Sequence, residues 1–96
     1  EFEELMATPT HRVPSHPGEI LQHEFLDLLP LAQTELAKRM KVPVQRINEL
    51  CRGKRGVTAE TALLLADALQ TSPEFWMNLQ MAFDLARARE KLLRAG

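Results

Sequence analysis

The sequence contains a single cysteine, Cys51, and no long uninterrupted run of apolar residues. One cysteine excludes an internal disulfide and a structural zinc site built from cysteines. A membrane-spanning helix needs roughly 18 consecutive apolar residues, and the acidic N-terminal segment is unlike the basic start of a secretory signal. We therefore expect a cytoplasmic protein.

The sequence also has little that indicates catalysis or cofactor binding. It contains no glycine-rich phosphate loop and no recognisable pairing of a nucleophile with a base. The histidines His11, His16 and His23 are never three or four residues apart, so they do not share a helical face as metal ligands would. We expect no enzyme, no metal and no cofactor.

What remains is an ordinary globular composition. The 96 residues, 45% of them hydrophobic and 26% charged, are sufficient for one compact domain. Residues 1–12, which include five residues before Met6, are predicted to be an N-terminal arm that is flexible or derives from an expression vector. Residues 13–96 are predicted to form a single domain with an extended C-terminal helix.

Charge is distributed unevenly along the chain, although the net charge is only −1. Residues 1–31 sum to −5, residues 32–56 to +5, and residues 57–96 to −1. A basic segment within a nearly neutral protein is typical of a specific contact with a polyanion. Charge alone equally allows a solvated surface without a partner.

Apolar spacing and turn residues predict five helices and no strands, so the expected fold is all-α. The first helix begins at Pro17 and ends before Pro30, and the fifth begins at Pro73 after Ser72 and extends to about Leu93. The second begins near Gln33, the third runs from about Val44 to Cys51, and the fourth is capped by Thr58. The predicted inward-facing residues of the first four helices are Leu21, Phe25, Leu28 and Leu29, then Leu36, Ala37 and Met40, then Ile47, Leu50 and Cys51, then Ala62, Leu65, Ala66 and Leu69. Trp76 is interpreted as a core anchor, with a contact to a partner as the alternative.

The second and third predicted helices form a helix-turn-helix, in which a turn of three to four residues holds the second helix against the major groove of DNA. At 100° per residue, the polar side chains of the third helix lie opposite its core residue Ile47. Candidate DNA contacts lie on this face, at the start of the preceding helix and just after the third helix. They are Gln33, Thr34, Val44, Gln45, Arg46, Asn48, Glu49, Arg52, Lys54 and Arg55.

These candidates divide by chemistry. Gln45, Arg46 and Glu49 can pair with the edges of adenine, guanine and cytosine, respectively. Gln33 can reach a phosphate from the helix start. Lys54 and Arg55, just beyond the helix, are predicted to contact the DNA backbone.

Residues 13–92 resemble the Xre-type helix-turn-helix of phage repressors and, more closely, the HigA/VapI antitoxins of bacterial toxin–antitoxin systems. The resemblance is carried by residues 16–19 (HPGE), 33–37 (QTELA), 46–49 (RINE), 53–62 (GKRGVTAETA) and 72–80 (SPEFWMNLQ). It implies a five-helix, lambda-repressor-like fold and a homodimer that binds an inverted-repeat operator. It further implies a HigB-like ribonuclease toxin as partner and autoregulation of the operon.

Two positions depart from this pattern. Lys41 stands where the family usually has a turn glycine, so it must adopt a left-handed or similar conformation at a cost of about 1 kcal/mol. Val44 stands where related repressors often carry a polar base contact, which suggests contact with a thymine methyl group.

Several functions remain open at this point. A stand-alone phage-type Xre regulator without a toxin fits the residues as well as an antitoxin does, and an adjacent toxin gene would distinguish them. A helical adaptor without a DNA role is a third hypothesis, and an enzyme is the last. A dimer contact is expected on the fifth helix at Phe83, Leu85 or beyond.

Overall fold

The computed structural model describes residues 14–95, and these form five helices without a strand. Helix α1 consists of an α-helical turn followed by a π-helical segment, and the other four helices are α-helical. Their bounds are Pro17–Ile20 and Leu21–Leu26 for α1, Gln33–Met40 for α2, Val44–Cys51 for α3, Ala59–Leu69 for α4 and Pro73–Ala95 for α5. The all-α prediction is confirmed, whereas the predicted arm over residues 1–12 lies outside the described residues.

Helix α1 differs from its prediction in its second half. Leu28 and Leu29 were expected on the buried face, but they are 69% and 56% exposed. The helix widens to a pattern in which the Asp27 amide donates to the Gln22 carbonyl at 2.9 Å, five residues back. This widening rotates the following side chains, and the helix ends at Leu26, which is buried in their place.

The core lies where α1, α2, α3 and α4 meet the start of α5, and its members from α1 are Leu21 and Leu26. Its buried members from the other four helices are Leu36, Ala37, Met40, Ile47, Leu50, Ala62, Leu65 and Trp76. The Trp76 indole donates from Nε1 to Thr71 Oγ1 at 2.8 Å, so its one polar group is satisfied. Trp76 is therefore a core anchor, while Leu69, predicted as buried, is only partly covered.

Cys51 lies at the edge of this core, packed against it and partly buried. Burial raises the pKa of its thiol to about 11, and the charge of Asp27 adds to this effect. The thiol therefore stays protonated near neutral pH, as expected for a packing residue.

The turn between α2 and α3 is formed without a glycine. Lys41 has φ 59° and ψ 44°, the left-handed conformation predicted for it. The Val42 amide donates to the Ala37 carbonyl at 3.0 Å, which closes the end of α2 over the left-handed residue. Lys41 thus supplies the geometry that glycine supplies elsewhere in the family pattern.

Helix α1 crosses the end of α3 at very short range. A Cβ atom added to Gly18 would lie 1.7 Å from the backbone oxygen of Leu50. The first turn of α1 is capped by His16, whose Nδ1 accepts from the Gly18 amide at 2.9 Å. The lack of a side chain at position 18 therefore fixes how closely α1 holds α3.

Among residues 14–95, no helix is both long and apolar enough to cross a membrane.

Candidate nucleic-acid interface

The polar face of α3 points away from the core, as its spacing predicts. Gln45 and Arg52 are exposed, Val44 is 42% exposed, and Ile47 on the opposite side is buried. Thr34, Lys54 and Arg55 are also exposed, whereas Gln33, Arg46, Asn48 and Glu49 are half-buried. These four half-buried side chains form contacts with other side chains that could not be predicted from the sequence.

Glu49 is held from two sides. Arg55 donates to Glu49 Oε1 from Nε at 3.2 Å and from Nη2 at 3.0 Å. Gln45 donates from Nε2 to Glu49 Oε2 at 3.3 Å. The hydrogen bonds from Arg55 are the main reason that the pKa of Glu49 is lowered, so the carboxylate stays charged at neutral pH.

Gln33 connects α1 to α3. Its Nε2 donates to Gln22 Oε1 at 3.1 Å, and its Oε1 accepts from Asn48 Nδ2 at 3.4 Å. Gln22 in turn donates to Asp27 Oδ1 at 2.8 Å. The amide of Gln33 is thereby oriented at the start of α2, by a residue of α1 that the sequence analysis did not single out.

Arg46 turns towards α4 and away from the exposed face. Its Nη2 lies 3.2 Å from Thr61 Oγ1 and 3.5 Å from Glu60 Oε1. Its Nε is buried without a hydrogen-bond partner among the described residues. In this conformation Arg46 braces α3 against α4, and a base contact would require the guanidinium to leave Thr61.

The loop after α3 folds back beside the helix. Gly53 has φ 75°, and the Lys54 amide donates to the Glu49 carbonyl at 2.8 Å. At the other end of the loop, the Val57 amide donates to Gln80 Oε1 of α5 at 2.6 Å. Gln80 is therefore a second residue that the sequence analysis missed, because its partner is 23 positions away.

These elements enclose a shallow depression of about 360 Å³ lined by Pro43, Gln45, Arg46, Glu49 and Arg55. The segment of charge +5, residues 32–56, comprises α2, α3 and this loop, so the surplus of positive charge belongs to the same part of the fold. No group of three or more His, Cys, Asp or Glu side chains within residues 14–95 is arranged to hold a metal ion. The chemistry available is hydrogen bonding and attraction of an anion.

The fold and the position of this polar face define a helix-turn-helix protein. A helix-turn-helix family model matches residues 24–76. Virulence-associated protein I of Dichelobacter nodosus is 44% identical over 75 residues, which cover 78% of this chain and 69% of that protein. Antitoxin HigA-1 of Vibrio cholerae is 41% identical over 83 residues, which cover 85% of this chain and 77% of that protein.

A solved structure agrees with these relatives. The Pseudomonas aeruginosa antitoxin HigA, solved with the higBA promoter, is 39% identical with a TM-score of 0.81, and the match covers 85% of this chain and 89% of that one. The chain belongs to the Xre-type helix-turn-helix family and, within it, to the group of HigA-type antitoxins and VapI-like regulators. This family consists of regulators and is not a family of enzymes.

Proposed function

We propose that the protein is a sequence-specific transcriptional repressor that binds double-stranded DNA and serves as the antitoxin of a HigBA-type module. The observation that carries this proposal is the exposed polar face of α3, held beside a basic loop in a helix-turn-helix. It is supported by the similar P. aeruginosa HigA, whose structure was solved with its promoter. We propose the residues predicted from the sequence, with the exception of Glu49, as the DNA-contacting set, and Arg46 joins this set only when its guanidinium leaves Thr61. We propose the cytoplasm as the location.

A homodimer follows from the size of α3. Its eight residues span about 12 Å, which covers too few base pairs for useful specificity. Two copies would bind half-sites about 34–36 Å apart, so the operator should be an inverted repeat. Leu85 on α5 is 44% exposed and available for a dimer contact, whereas Phe83 already packs edge-on against His16 with ring centroids 4.9 Å apart.

DNA binding is tested by selecting duplexes from a random library and measuring affinity by fluorescence anisotropy at two salt concentrations. The wild type should select an inverted repeat, and its affinity should fall with salt. Gln45→Ala should weaken discrimination at particular base pairs by roughly 1–3 kcal/mol. Asp67→Asn, an exposed position on α4 outside both the proposed DNA contacts and the expected dimer contact, is the control and should match the wild type. If no duplex is selected and binding does not depend on salt, the protein is not a DNA-binding repressor.

Neutralisation of a toxin is tested by co-expression with the product of an adjacent toxin gene. A folded variant with Gln45→Ala and Arg52→Ala should still rescue growth, because DNA contacts and toxin contacts are proposed to use different surfaces. Loss of both activities would show that the two surfaces overlap. Absence of any toxin gene beside this one would favour the stand-alone regulator.

A further inference from the structure

We propose that Arg55 contacts a guanine in the major groove and that Glu49 is the positioning residue that holds its guanidinium for this contact. The inference rests on the proposed function, since it concerns how the helix-turn-helix distinguishes one base pair. It assigns to Arg55 a specific base contact in place of the backbone contact predicted from the sequence. It assigns to Glu49 a role through Arg55 in place of a contact with cytosine.

Glu49 binds only one edge of the Arg55 guanidinium. Arg55 uses Nε and Nη2 for the carboxylate, at 3.2 and 3.0 Å from the same oxygen, Oε1. A guanidinium is a flat fork of five N–H donors, so its other edge, formed by the two terminal nitrogens, stays available. That edge matches O6 and N7 of guanine, which accept two parallel hydrogen bonds from arginine.

Both carboxylate oxygens of Glu49 already accept hydrogen bonds within the protein. Oε1 accepts both bonds from Arg55, and Oε2 accepts the bond from Gln45 at 3.3 Å. A carboxylate facing DNA must also overcome repulsion from the phosphates, and the charge of Arg55 compensates for this only while the pair is intact. The arrangement in which Glu49 stays paired with Arg55 on DNA is therefore more favourable than one in which the pair is broken so that Glu49 can contact a base.

The backbone is the third argument, because it brings Arg55 back beside α3. The loop is fixed at Lys54, whose amide bonds to the Glu49 carbonyl at 2.8 Å, and at Val57, whose amide bonds to Gln80 at 2.6 Å. Arg55 lies between these two fixed points and lines the depression together with Gln45 and Pro43. A long side chain that is already ordered loses less conformational entropy when it binds.

Lys54 provides an internal comparison. It is the adjacent residue, carries the same charge and is exposed, yet it forms no ion pair within residues 14–95. Lys54 has the properties of a backbone contact, which needs charge but no fixed orientation. The two neighbours should therefore respond differently to substitution.

The experiment uses the duplex that the wild-type protein selects from a random library, together with every single-base-pair variant of one half-site. Affinities are measured by fluorescence anisotropy at two salt concentrations for the wild type, Arg55→Ala, Arg55→Lys, Glu49→Gln, the double variant Arg55→Ala/Glu49→Gln and the control Lys54→Ala. Arg55→Lys keeps the charge and loses the fork, whereas Glu49→Gln keeps the shape and loses the charge. Circular dichroism melting establishes that each variant is folded.

We expect Arg55→Ala to reduce the preference for G·C at one position of each half-site by roughly tenfold to a hundredfold, and Arg55→Lys, which can still donate to guanine without the planar fork, to reduce it by less. Glu49→Gln should reduce the preference at the same position, and the double variant should lose little more than Arg55→Ala alone, because the two residues act as a unit. Lys54→Ala should weaken binding to all duplexes alike. It should also reduce the slope of log affinity against log salt concentration by about one, the value for one lost phosphate contact. Replacing that guanine with 7-deazaguanine, which lacks the N7 acceptor, should weaken the wild type and leave Arg55→Ala unchanged.

The proposal is overturned if Arg55→Ala retains the preference of the wild type at every position, since Arg55 would then be a backbone contact. It is also overturned if Glu49→Gln changes a different position from Arg55→Lys, or if 7-deazaguanine has no effect on the wild type. These results would leave the proposed function intact. If the wild type selects no duplex, the proposed function fails, and this inference fails with it.

Discussion

The two faces of α3 are constructed in different ways. The inner face consists of Ile47 and Leu50, which are almost completely buried, and it is approached so closely by Gly18 that no side chain fits between them. The outer face consists of polar side chains that hold one another, as in the bonds of Glu49 to Arg55 and Gln45. The inner face therefore determines where the helix sits, and the outer face determines what it can bind. Stability and specificity should be separable by substitution.

The largest effect is expected at Gly18, on the inner side. In Gly18→Ala the new methyl group would overlap the Leu50 carbonyl, and backbone cannot move aside as a side-chain end can. We expect a loss of about 4 kcal/mol or more in the free energy of unfolding, measured by urea denaturation at fixed protein concentration.

The matched control is Gly56→Ala, where the nearest atoms, at 3.0–3.2 Å, belong to the amide end of the Gln80 side chain, which is held by hydrogen bonds but can shift more easily than backbone. It should cost clearly less than Gly18→Ala. Equal effects of the two substitutions would contradict the close approach of α1 to α3.

Ile47→Ala should produce the next largest effect, roughly 2–4 kcal/mol, because it leaves a cavity in the core. Val44→Ala, on the exposed side of the same helix, should change the free energy of unfolding by less than about 0.5 kcal/mol. Denaturation of the two variants side by side measures the difference between the faces. A similar cost for both would show that the faces are not distinct in packing.

The buried faces of α2 and α3 could be predicted from the sequence, because apolar spacing within one helix is a local property. The positions of Leu36, Ala37, Met40, Ile47 and Leu50 follow from their periods and are confirmed. The left-handed torsions of Lys41 could also be predicted, because the resemblance places Lys41 where the family usually has a turn glycine. The exposure of Leu28 and Leu29 could not, because the period of 3.6 residues used for the prediction does not apply to the π-helical segment of α1.

The outer face could be predicted only as a set of exposed polar residues. Which side chains bond to one another depends on how separate elements approach, as between Gln33 and Asn48, 15 positions apart. Arg46 illustrates the limit: its partner Thr61 is also 15 positions away and turns the guanidinium from the predicted direction. Helical periodicity gives the side of a helix but not the partner of a side chain.

A smaller effect is expected at Lys41, where α2 ends and α3 is about to begin. Lys41→Gly removes the cost of a left-handed non-glycine residue, so the free energy of unfolding should rise by up to about 1 kcal/mol. Gln70→Gly is a matched control with nearly the same torsions, φ 60° and ψ 46°, at the end of α4. Its gain should be smaller because Gln70 Nε2 also donates to the Asp67 carbonyl at 2.9 Å. A lower stability for Lys41→Gly, measured by urea denaturation, would contradict this account of the turn.

The smallest effect is a change in stability with pH that arises from protonation of His16, the residue that caps α1 where it packs against α3. Neutral His16 accepts the Gly18 amide proton at Nδ1, and a protonated ring would lose this acceptor. Burial lowers the pKa of His16 below 6.5, and Arg87 acts in the same direction, while Glu19 and Asp84 oppose it. Because the unfolded chain takes up this proton first as the pH falls, the stabilisation is complete above about pH 6.5 and is lost as the pH falls through the folded-state pKa.

Urea denaturation from about pH 7.5 down to about pH 5 tests this contribution, since the unfolded chain takes up the proton at the ordinary histidine pKa of about 6.5 and the folded chain does so at a lower pH. The wild type should lose stability towards the acid end. In His16→Asn the asparagine can cap α1 but does not titrate, so this part of the pH dependence should disappear while the helix cap remains. An unchanged pH dependence in the variant would mean that His16 is not the titrating group. A pH-independent stability in the wild type would mean that the bond from Gly18 to His16 contributes little to the position of α1 against the inner face of α3.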